Sequence, residues 1–302
     1  MTLEGSSSID KKSLLLCNLP DSLKCALSKV WQQHYEELYE PEAEGTASLQ
    51  EALDEILESF QGGNRILSHL RYVWMALILA SVVEPTVEYY QPNNSMPEET
   101  LSKIAFWLLE TLKKMLDSKM QFAQVAREEE ANAIVDSFRI FSEDKKISSF
   151  QVLYEALDVF SNAIKTLDYN QSLEALLNIL DDCLEGYAIF PGSYGRRELF
   201  NWWLLEVVPA SWYLVPPSSI YSINKSENEK RIVCRQMKKL EKISSAMWFI
   251  ILRNSQRRKR SNQSIFPSTF DSHSNKIELD VKLGDNKFSR NKIASIYEEA
   301  FK

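Results

Sequence analysis

The sequence predicts an all-α protein, built as an irregular helical bundle or a short α-solenoid with a basic C-terminal arm. Only eight of its 302 residues are glycine, too few for the turns of an all-β fold or the phosphate loops of a Rossmann fold. Apolar side chains recur every three or four residues in segment after segment, which is the period of an amphipathic helix. No repeat of fixed length is present, so a regular solenoid is not expected.

The first predicted helices follow one another at short intervals. Residues 21–39 carry one apolar stripe. Ser48 and Glu51 have the spacing of a capping box, in which each side chain bonds the other's backbone N–H. The helix that they begin should end at the glycine pair 62–63, and another should start after Asn64. Because the connection is so short, these two helices should be antiparallel neighbours.

Three more helices are predicted before residue 190. Ser95 and Glu98 form a second capping box, followed by apolar residues at helical spacing. Residues 150–168 and 172–187 each carry an amphipathic pattern of the same kind. Helices joined by short connections in this way are typical of a bundle or an irregular solenoid.

One stretch resembles a known family. In RYVWMALILASVVEPTVEYYQPNNSMPEETLSKIAFWLLE, a buried helix is followed by Pro85, Pro92 and Pro97, and then by Trp107. This spacing resembles a helical hairpin of immunity proteins of bacterial toxin systems, which have ARM/HEAT-like helical folds. The resemblance covers about residues 70–110 and implies a helical scaffold that binds another protein. It carries no site residue over to this chain.

Charge divides the chain into two parts. Residues 1–224 have 17 Lys or Arg and 33 Asp or Glu, a net charge of −16. Residues 225–302 have 18 and 9, a net charge of +9, and the two parts together give the net charge of −7. A basic segment beside an acidic one predicts contact with something anionic. Nucleic acid, a lipid surface, an acidic partner protein and the chain's own acidic body all fit.

The charge boundary and the helix signals together predict four regions. Residues 1–19 are a flexible N-terminus and residues 20–224 an acidic helical body. Residues 225–253 form a basic amphipathic helix docked on that body. Residues 254–302 are a flexible basic tail. Within the tail, an alternating apolar pattern at 276–283 predicts an isolated strand, and 289–302 a short helix.

The basic helix has the sharpest pattern in the chain. Arg231, Arg235, Lys238 and Lys242 recur at helical spacing and form a narrow stripe opposite the apolar residues. Such a stripe binds phosphates or anionic lipid headgroups without base specificity, or is simply a solvated face. The predicted extension of this stripe consists of Arg257, Arg258, Lys259 and Arg260.

The segment FPGSYGRRELF, residues 190–200, is a second candidate site. Arg196 and Arg197 begin a predicted helix, whose N-terminal N–H groups favour an anion. An ordinary turn between helices, with both arginines paired to carboxylates, is the simpler interpretation. Nearby Trp202 and Trp203 would point about 100° apart on a helix, so they either form an exposed interface or lie in the core.

Catalytic and metal-binding motifs are largely absent from the sequence. The three histidines do not form HExxH, and no GxSxG, phosphate loop or dinucleotide fingerprint occurs. We therefore expect no cofactor and no bound metal. Four cysteines without a CxxC pair predict reduced thiols and a cytoplasmic protein. The uncharged run at 72–83 is too short to span a membrane, so no transmembrane segment is expected.

Three functions are compatible with this sequence. The leading hypothesis is a non-enzymatic adaptor, regulator or immunity-type protein that binds another protein through its helical scaffold and basic arm. The alternative is a regulator that binds nucleic acid or an anionic membrane surface through the basic ridge 231–260. The third is an enzyme with an unrecognised site around residues 187–212.

Overall fold

The computed structural model describes most of the chain. The described residues are 19–39, 47–61, 64–116, 151–184, 186, 188–189, 195–222 and 227–263, with side chains from 229 to 254 in the last range. Every regular element among them is helical, which confirms the all-α prediction. The predicted N-terminus up to residue 18, the strand at 276–283 and the short helix at 289–302 lie outside the described residues.

The helices are connected mostly by short turns. In chain order they are α1 (Asp21–Gln32), α2 (Leu49–Glu58), α3 (Arg65–Tyr90), α4 (Met96–Leu116), α5 (Gln151–Lys165), α6 (Ser172–Leu184), α7 (Arg196–Trp202), α8 (Val208–Trp212) and α9 (Glu227–Gln263). A 3₁₀ turn, Glu36–Leu38, follows α1, and one π-helical turn, Trp203–Val207, joins α7 to α8.

The first helix is shorter than predicted. It ends at Gln32, and Gln33 has an extended backbone, whereas the sequence predicted one helix over 21–39. The apolar stripe stops at Val30, because Gln33 and His34 occupy the positions where the next inward side chains would lie. The chain turns instead and buries Tyr35 completely.

Helix α3 is the centre of the molecule. It packs against α4, α5, α6, α8 and α9, and most of its residues from Leu67 to Val87 are buried. Buried and mostly apolar side chains lie around its whole circumference, which is the pattern of a helix enclosed on all sides. Asn64 caps its first turn by accepting bonds from the backbone N–H groups of Ile66 and Leu67.

By length and composition, α3 is also apolar enough to cross a membrane. An 18-residue window of this helix has a mean hydropathy of 1.7, and 94% of that window is buried inside the molecule. The sequence argument considered only the uncharged run at 72–83, which is much shorter than the whole helix. Enclosure by five other helices accounts for its apolar surface within the described part of the chain.

Polar side chains on α3 bond the ends of its neighbours. The helical hydrogen-bond pattern runs out at the end of a helix, and α3 supplies donors to carbonyl groups at or just beyond the ends of α2, α5 and α8. The bonds are Tyr72 Oη to Leu57 O (2.7 Å), Ser68 Oγ to Phe60 O (2.6 Å), His69 Nε2 to Thr166 O (2.7 Å), Arg71 Nε to Trp212 O (3.1 Å) and Trp74 Nε1 to Val215 O (2.9 Å).

Pro85 lies inside α3, although the sequence placed it after the buried helix. Proline has no N–H, so it leaves the carbonyl four residues earlier without its helical partner. That carbonyl belongs to Ser81, and the side-chain amide of Gln236 on α9 donates a hydrogen bond to it. The helix therefore continues through Pro85 to Tyr90 because α9 replaces the missing bond.

Leu214 follows α8 in a left-handed conformation, with φ of 54°. Glycine usually occupies such a position at the end of a helix. Here the side chain of Leu214 is fully buried, and its carbonyl accepts a bond from Ser244 Oγ of α9 at 2.9 Å. Both contacts hold the turn against the core and α9.

Helix α9 extends beyond its predicted end near residue 252 and reaches Gln263. Residues 227–263 contain no proline and no glycine, and Arg, Lys and Gln are good helix formers. Asn254 also bonds the carbonyl of Leu116, at the end of α4, over 2.6 Å. The backbone of residues 254–263 is thus helical, whereas the sequence predicted the start of a flexible tail. Residues 264–302 lie outside the described part of the chain.

Candidate functional site

The inner side of α9 is docked on the helical body. Leu240, Met247 and Ile251 are fully buried and Trp248 is 5% exposed. The helix packs on α3 and α4. It runs in the same direction as α4, because Arg235 interacts with Glu98 near the start of α4 and Asn254 bonds its end. This docking fixes which side of α9 faces outward.

The outward side of α9 carries the candidate site, which we call the basic face. It consists of Lys230, Arg231, Arg235, Lys238, Lys239 and Lys242. The four residues of the predicted stripe, Arg231, Arg235, Lys238 and Lys242, are all exposed. Since α9 is held by its opposite side, these charges have fixed positions along the helix.

Two cations of the basic face are already paired with the body. Arg235 Nη2 lies 2.6 Å from Glu88 Oε2, and Lys239 Nζ lies 2.8 Å from Glu84 Oε1. The hydrogen bond to Glu88 raises the pKa of Arg235. Among the anionic contacts that the sequence predicted for the arm, contact with the chain's own acidic body is therefore present at these two residues.

Three other cations have no carboxylate partner among the described residues. Arg231, Lys238 and Lys242 are exposed, and none of the ion pairs in that part of the structure includes them. At about 1.5 Å per residue, the first and last of these lie roughly 16 Å apart along the helix axis. They form the part of the basic face that is available to a ligand.

The basic face borders an open groove. Its volume is about 650 Å³, and its described lining consists of the six cations and the exposed thiol-bearing residue Cys234. A surface that carries so many cations attracts anionic groups.

An exposed aromatic residue continues the basic face towards the end of α9. Phe249 is 57% exposed and follows Lys242 by seven residues, which places both on the same side of the helix. Arg253 is exposed one turn further on. The backbone of 257–260 is helical, while the side chains of Arg257, Arg258, Lys259 and Arg260 lie outside the described part of the structure.

The structure does not support the second candidate site. Arg196 is only 2% exposed and belongs to the core. The guanidinium carbon of Arg197 lies 5.8 Å from the ring centroid of Trp31 and 5.6 Å from that of Phe200. Helix α7 has only seven residues. The segment 190–194 lies outside the described residues.

Trp202 and Trp203 are core residues, so of the two alternatives that the sequence left open the structure shows burial in the core, and neither residue forms an exposed interface. Their exposed fractions are 7% and 0%. Trp202 Nε1 donates to Ser219 O at 2.8 Å, and Trp203 Nε1 lies 3.4 Å from the sulfur of Met75. Both side chains can be buried although they point about 100° apart, because this stretch is enclosed on several sides: Leu199, Phe200 and Leu204 are buried as well.

Two titratable groups inside the body have strongly shifted pKa values. Burial lowers the pKa of His69 to about 4, and the bond to Thr166 offsets this only in part. Burial, and then the nearby carboxylates of Asp158 and Asp181, raise the pKa of Asp182 to about 8. His69 Nε2 must carry its proton to donate to a carbonyl, so its role is structural. The raised pKa of Asp182 favours its protonated form, which lowers repulsion among the carboxylates of the hairpin formed by α5 and α6.

Comparisons with known proteins assign no function to these features. No family model, no curated protein and no solved structure matches the chain. Within the described residues, no group of three or more His, Cys, Asp or Glu side chains could hold a metal ion. The resemblance of residues 70–110 to immunity proteins therefore stays a prediction.

Proposed function

We propose that this protein is a non-enzymatic binding protein, an adaptor, regulator or immunity-type protein, whose basic face contacts an acidic surface on a partner protein. One observation carries the proposal. Arg231, Lys238 and Lys242 lie on one side of a firmly docked helix, are exposed, and have no carboxylate partner among the described residues. Aligned charges at fixed positions are typical of a surface that recognises a partner by electrostatic complementarity.

The rest of the chain favours a partner of limited negative charge. Residues 1–224 carry a net charge of −16, and Glu84, Glu88 and Glu98 lie beside the basic face. Charges within about 8 Å of a ligand still act at physiological ionic strength. A long polyanion would extend over these carboxylates and be repelled by them, whereas a short acidic patch on a protein can contact the cations alone.

Nucleic acid or an anionic membrane surface is the second candidate partner. It is favoured by Phe249, which is exposed on the same side as the cations. An aromatic ring beside Lys and Arg supports base stacking in single strands and insertion into a lipid interface. Repulsion by the carboxylates beside the basic face is the reason for placing this candidate second.

A retention experiment tests the proposal. The full chain is immobilised and incubated with native lysate, and retained proteins are quantified by mass spectrometry. We compare the wild type with the double variant Lys238→Glu, Lys242→Glu. The matched control, Lys24→Glu with Lys113→Glu, has the same change in charge on exposed lysines of other helices.

The proposal expects a protein that the wild type and the control retain and the Lys238, Lys242 variant loses, with no effect of nuclease. Equal retention by both variants would show that the basic face is not the binding surface. Retention that disappears after nuclease treatment would favour the second candidate instead.

A further inference from the structure

The two ion pairs between α3 and α9 show how a helix with carboxylates meets the basic face. Glu84 and Glu88 are four residues apart on α3, and they contact Lys239 and Arg235, which are four residues apart on α9. The earlier carboxylate contacts the later cation. A spacing of four residues, about one turn, on each of two antiparallel helices therefore gives two short ion pairs.

The same spacing recurs among the cations that lack a carboxylate partner. Lys238 and Lys242 are again four residues apart, and Arg231 lies seven residues before Lys238. At about 100° per residue, these three side chains fall within roughly 40° of one another around the helix. They therefore form one straight line of charge beside the pairs that Glu84 and Glu88 occupy.

We propose that the ligand of this line is an acidic α-helix of the partner protein, with carboxylates at positions i, i+4 and i+11. In the antiparallel order shown by Glu84 and Glu88, these would meet Lys242, Lys238 and Arg231 in turn. An apolar residue at i−7 would lie opposite Phe249. The inference rests on the proposed function and specifies the chemistry and spacing of the partner.

Charge density favours such a helix over nucleic acid. Duplex DNA has one negative charge per about 1.7 Å of its axis when both strands are counted, so a stretch as long as the roughly 16 Å from Arg231 to Lys242 carries about ten phosphates. Three cations without carboxylate partners cannot balance them, and Glu84 and Glu88 on the flank would repel the excess. A helix with one acidic stripe presents three carboxylates over the same length.

Two labelled peptides test the spacing. Both are alanine-rich, capped helices of identical composition, with three Glu and one Leu. The matched peptide has Glu at i, i+4 and i+11 and Leu at i−7, whereas the control has Glu at i, i+5 and i+10, on three different sides. Binding to the full chain is measured by fluorescence anisotropy at low salt.

The matched peptide should bind about tenfold more tightly than the control, as three exposed ion pairs of about 0.5 kcal/mol each would give. The double variant Lys238→Gln, Lys242→Gln should reduce this difference to about twofold, because only the pair with Arg231 remains, and Lys24→Gln with Lys113→Gln should preserve the full difference. Circular dichroism of each variant checks that the helical body is intact.

Other results would overturn the inference. Equal binding of the two peptides would refute the helical spacing while leaving an acidic protein partner in place. Binding of neither peptide by a protein that retains its lysate partner would refute the acidic helix. A labelled 20-base-pair DNA duplex or vesicles of anionic lipid binding more tightly than both peptides would refute the proposed function as well.

Discussion

The two long helices, α3 and α9, use polar side chains in different ways. Helix α3 has 26 residues, is apolar all round and is enclosed by the body. Helix α9 has 37 residues, and among its described side chains only the inner face is buried. Both donate side-chain hydrogen bonds to backbone carbonyls of neighbouring segments.

This difference suggests that the buried side chains of the two helices stabilise the fold, whereas the outer side chains of α9 recognise a partner. The polar side chains of α3 that make the bonds described above are buried and connect it to three neighbouring segments. On α9, Gln236, Ser244 and Asn254 do the same from the inner side, while the outer side keeps its cations for other contacts. We therefore expect changes at the buried residues of α3 and on the inner side of α9 to affect folding, and changes on the outer side of α9 to affect binding.

The largest effect should follow from Trp74→Ala in α3. The side chain of Trp74 is fully buried, and its Nε1 bonds Val215 O. Loss of its packing and of this bond should lower the free energy of unfolding by about 4 kcal/mol, measured by urea denaturation. Trp31→Ala, at a residue that is 41% exposed, is the control and should cost less than about 1 kcal/mol. Equal losses of stability in the two variants would show that burial in α3 does not decide how much a tryptophan contributes.

The next largest effect should come from pH, acting on His69 in α3. Its folded-state pKa of about 4 lies below the ordinary 6.5. The unfolded chain therefore binds a proton at His69 at a higher pH than the folded chain does. The free energy of unfolding is unaffected by this group above pH 6.5 and decreases as the pH falls from 6.5 through 4. The loss should approach about 3 kcal/mol.

A matched pair of variants isolates this effect of pH. Unfolding free energies are measured between pH 7 and pH 4 for His69→Gln and for His34→Gln, which replaces an exposed histidine. His69→Gln should flatten the pH dependence in this range, and His34→Gln should leave it unchanged. The opposite result would show that the acid sensitivity arises elsewhere.

A smaller effect should follow from Gln236→Leu on the inner side of α9. The buried carbonyl of Ser81 would lose its partner, at a cost of about 1 to 3 kcal/mol. In a Pro85→Ala background the new backbone N–H could bond that carbonyl, so Gln236→Leu should cost less there. A double-mutant cycle measures the coupling. Purely additive costs would show that the two residues do not share the carbonyl.

The smallest effect on stability should come from Glu88→Gln. Its ion pair with Arg235 is close to half exposed on both sides, and such pairs contribute less than about 1 kcal/mol. The released guanidinium should nevertheless strengthen binding of the acidic peptide with Glu at i, i+4 and i+11, measured by anisotropy. A large loss of stability would place Arg235 among the residues that hold the fold.

Local patterns in the sequence were sufficient to predict much of the fold. Ser48 and Asn64 precede helices and accept bonds from backbone N–H groups, because capping depends on neighbouring residues. The same is true of the outward stripe on α9, since helical periodicity alone decides which side chains share a face. The continuation of α9 to Gln263 could also have been expected from the absence of proline and glycine.

Long-range contacts account for what the sequence did not predict. Pro85 remains in a helix because of Gln236, which is 155 residues away. Trp202 and Trp203 are both buried because distant segments enclose their helix, as the contact of Trp203 with Met75 on α3 shows. The pairing of Glu84 and Glu88 with α9 depends on where two distant helices pack, so charge counts alone could not assign partners to individual cations of the basic face.

The interruption of α3 by Pro85 has a consequence for the order of events during synthesis. The Ser81 carbonyl receives its partner only after α9 has left the ribosome, about 8 to 30 s later at ordinary rates of translation. Until then one side of α3, the most apolar helix of the described chain, is not yet covered by α9. We therefore expect truncation before α9 to leave α3 partly uncovered and to yield aggregates rather than a stable smaller domain.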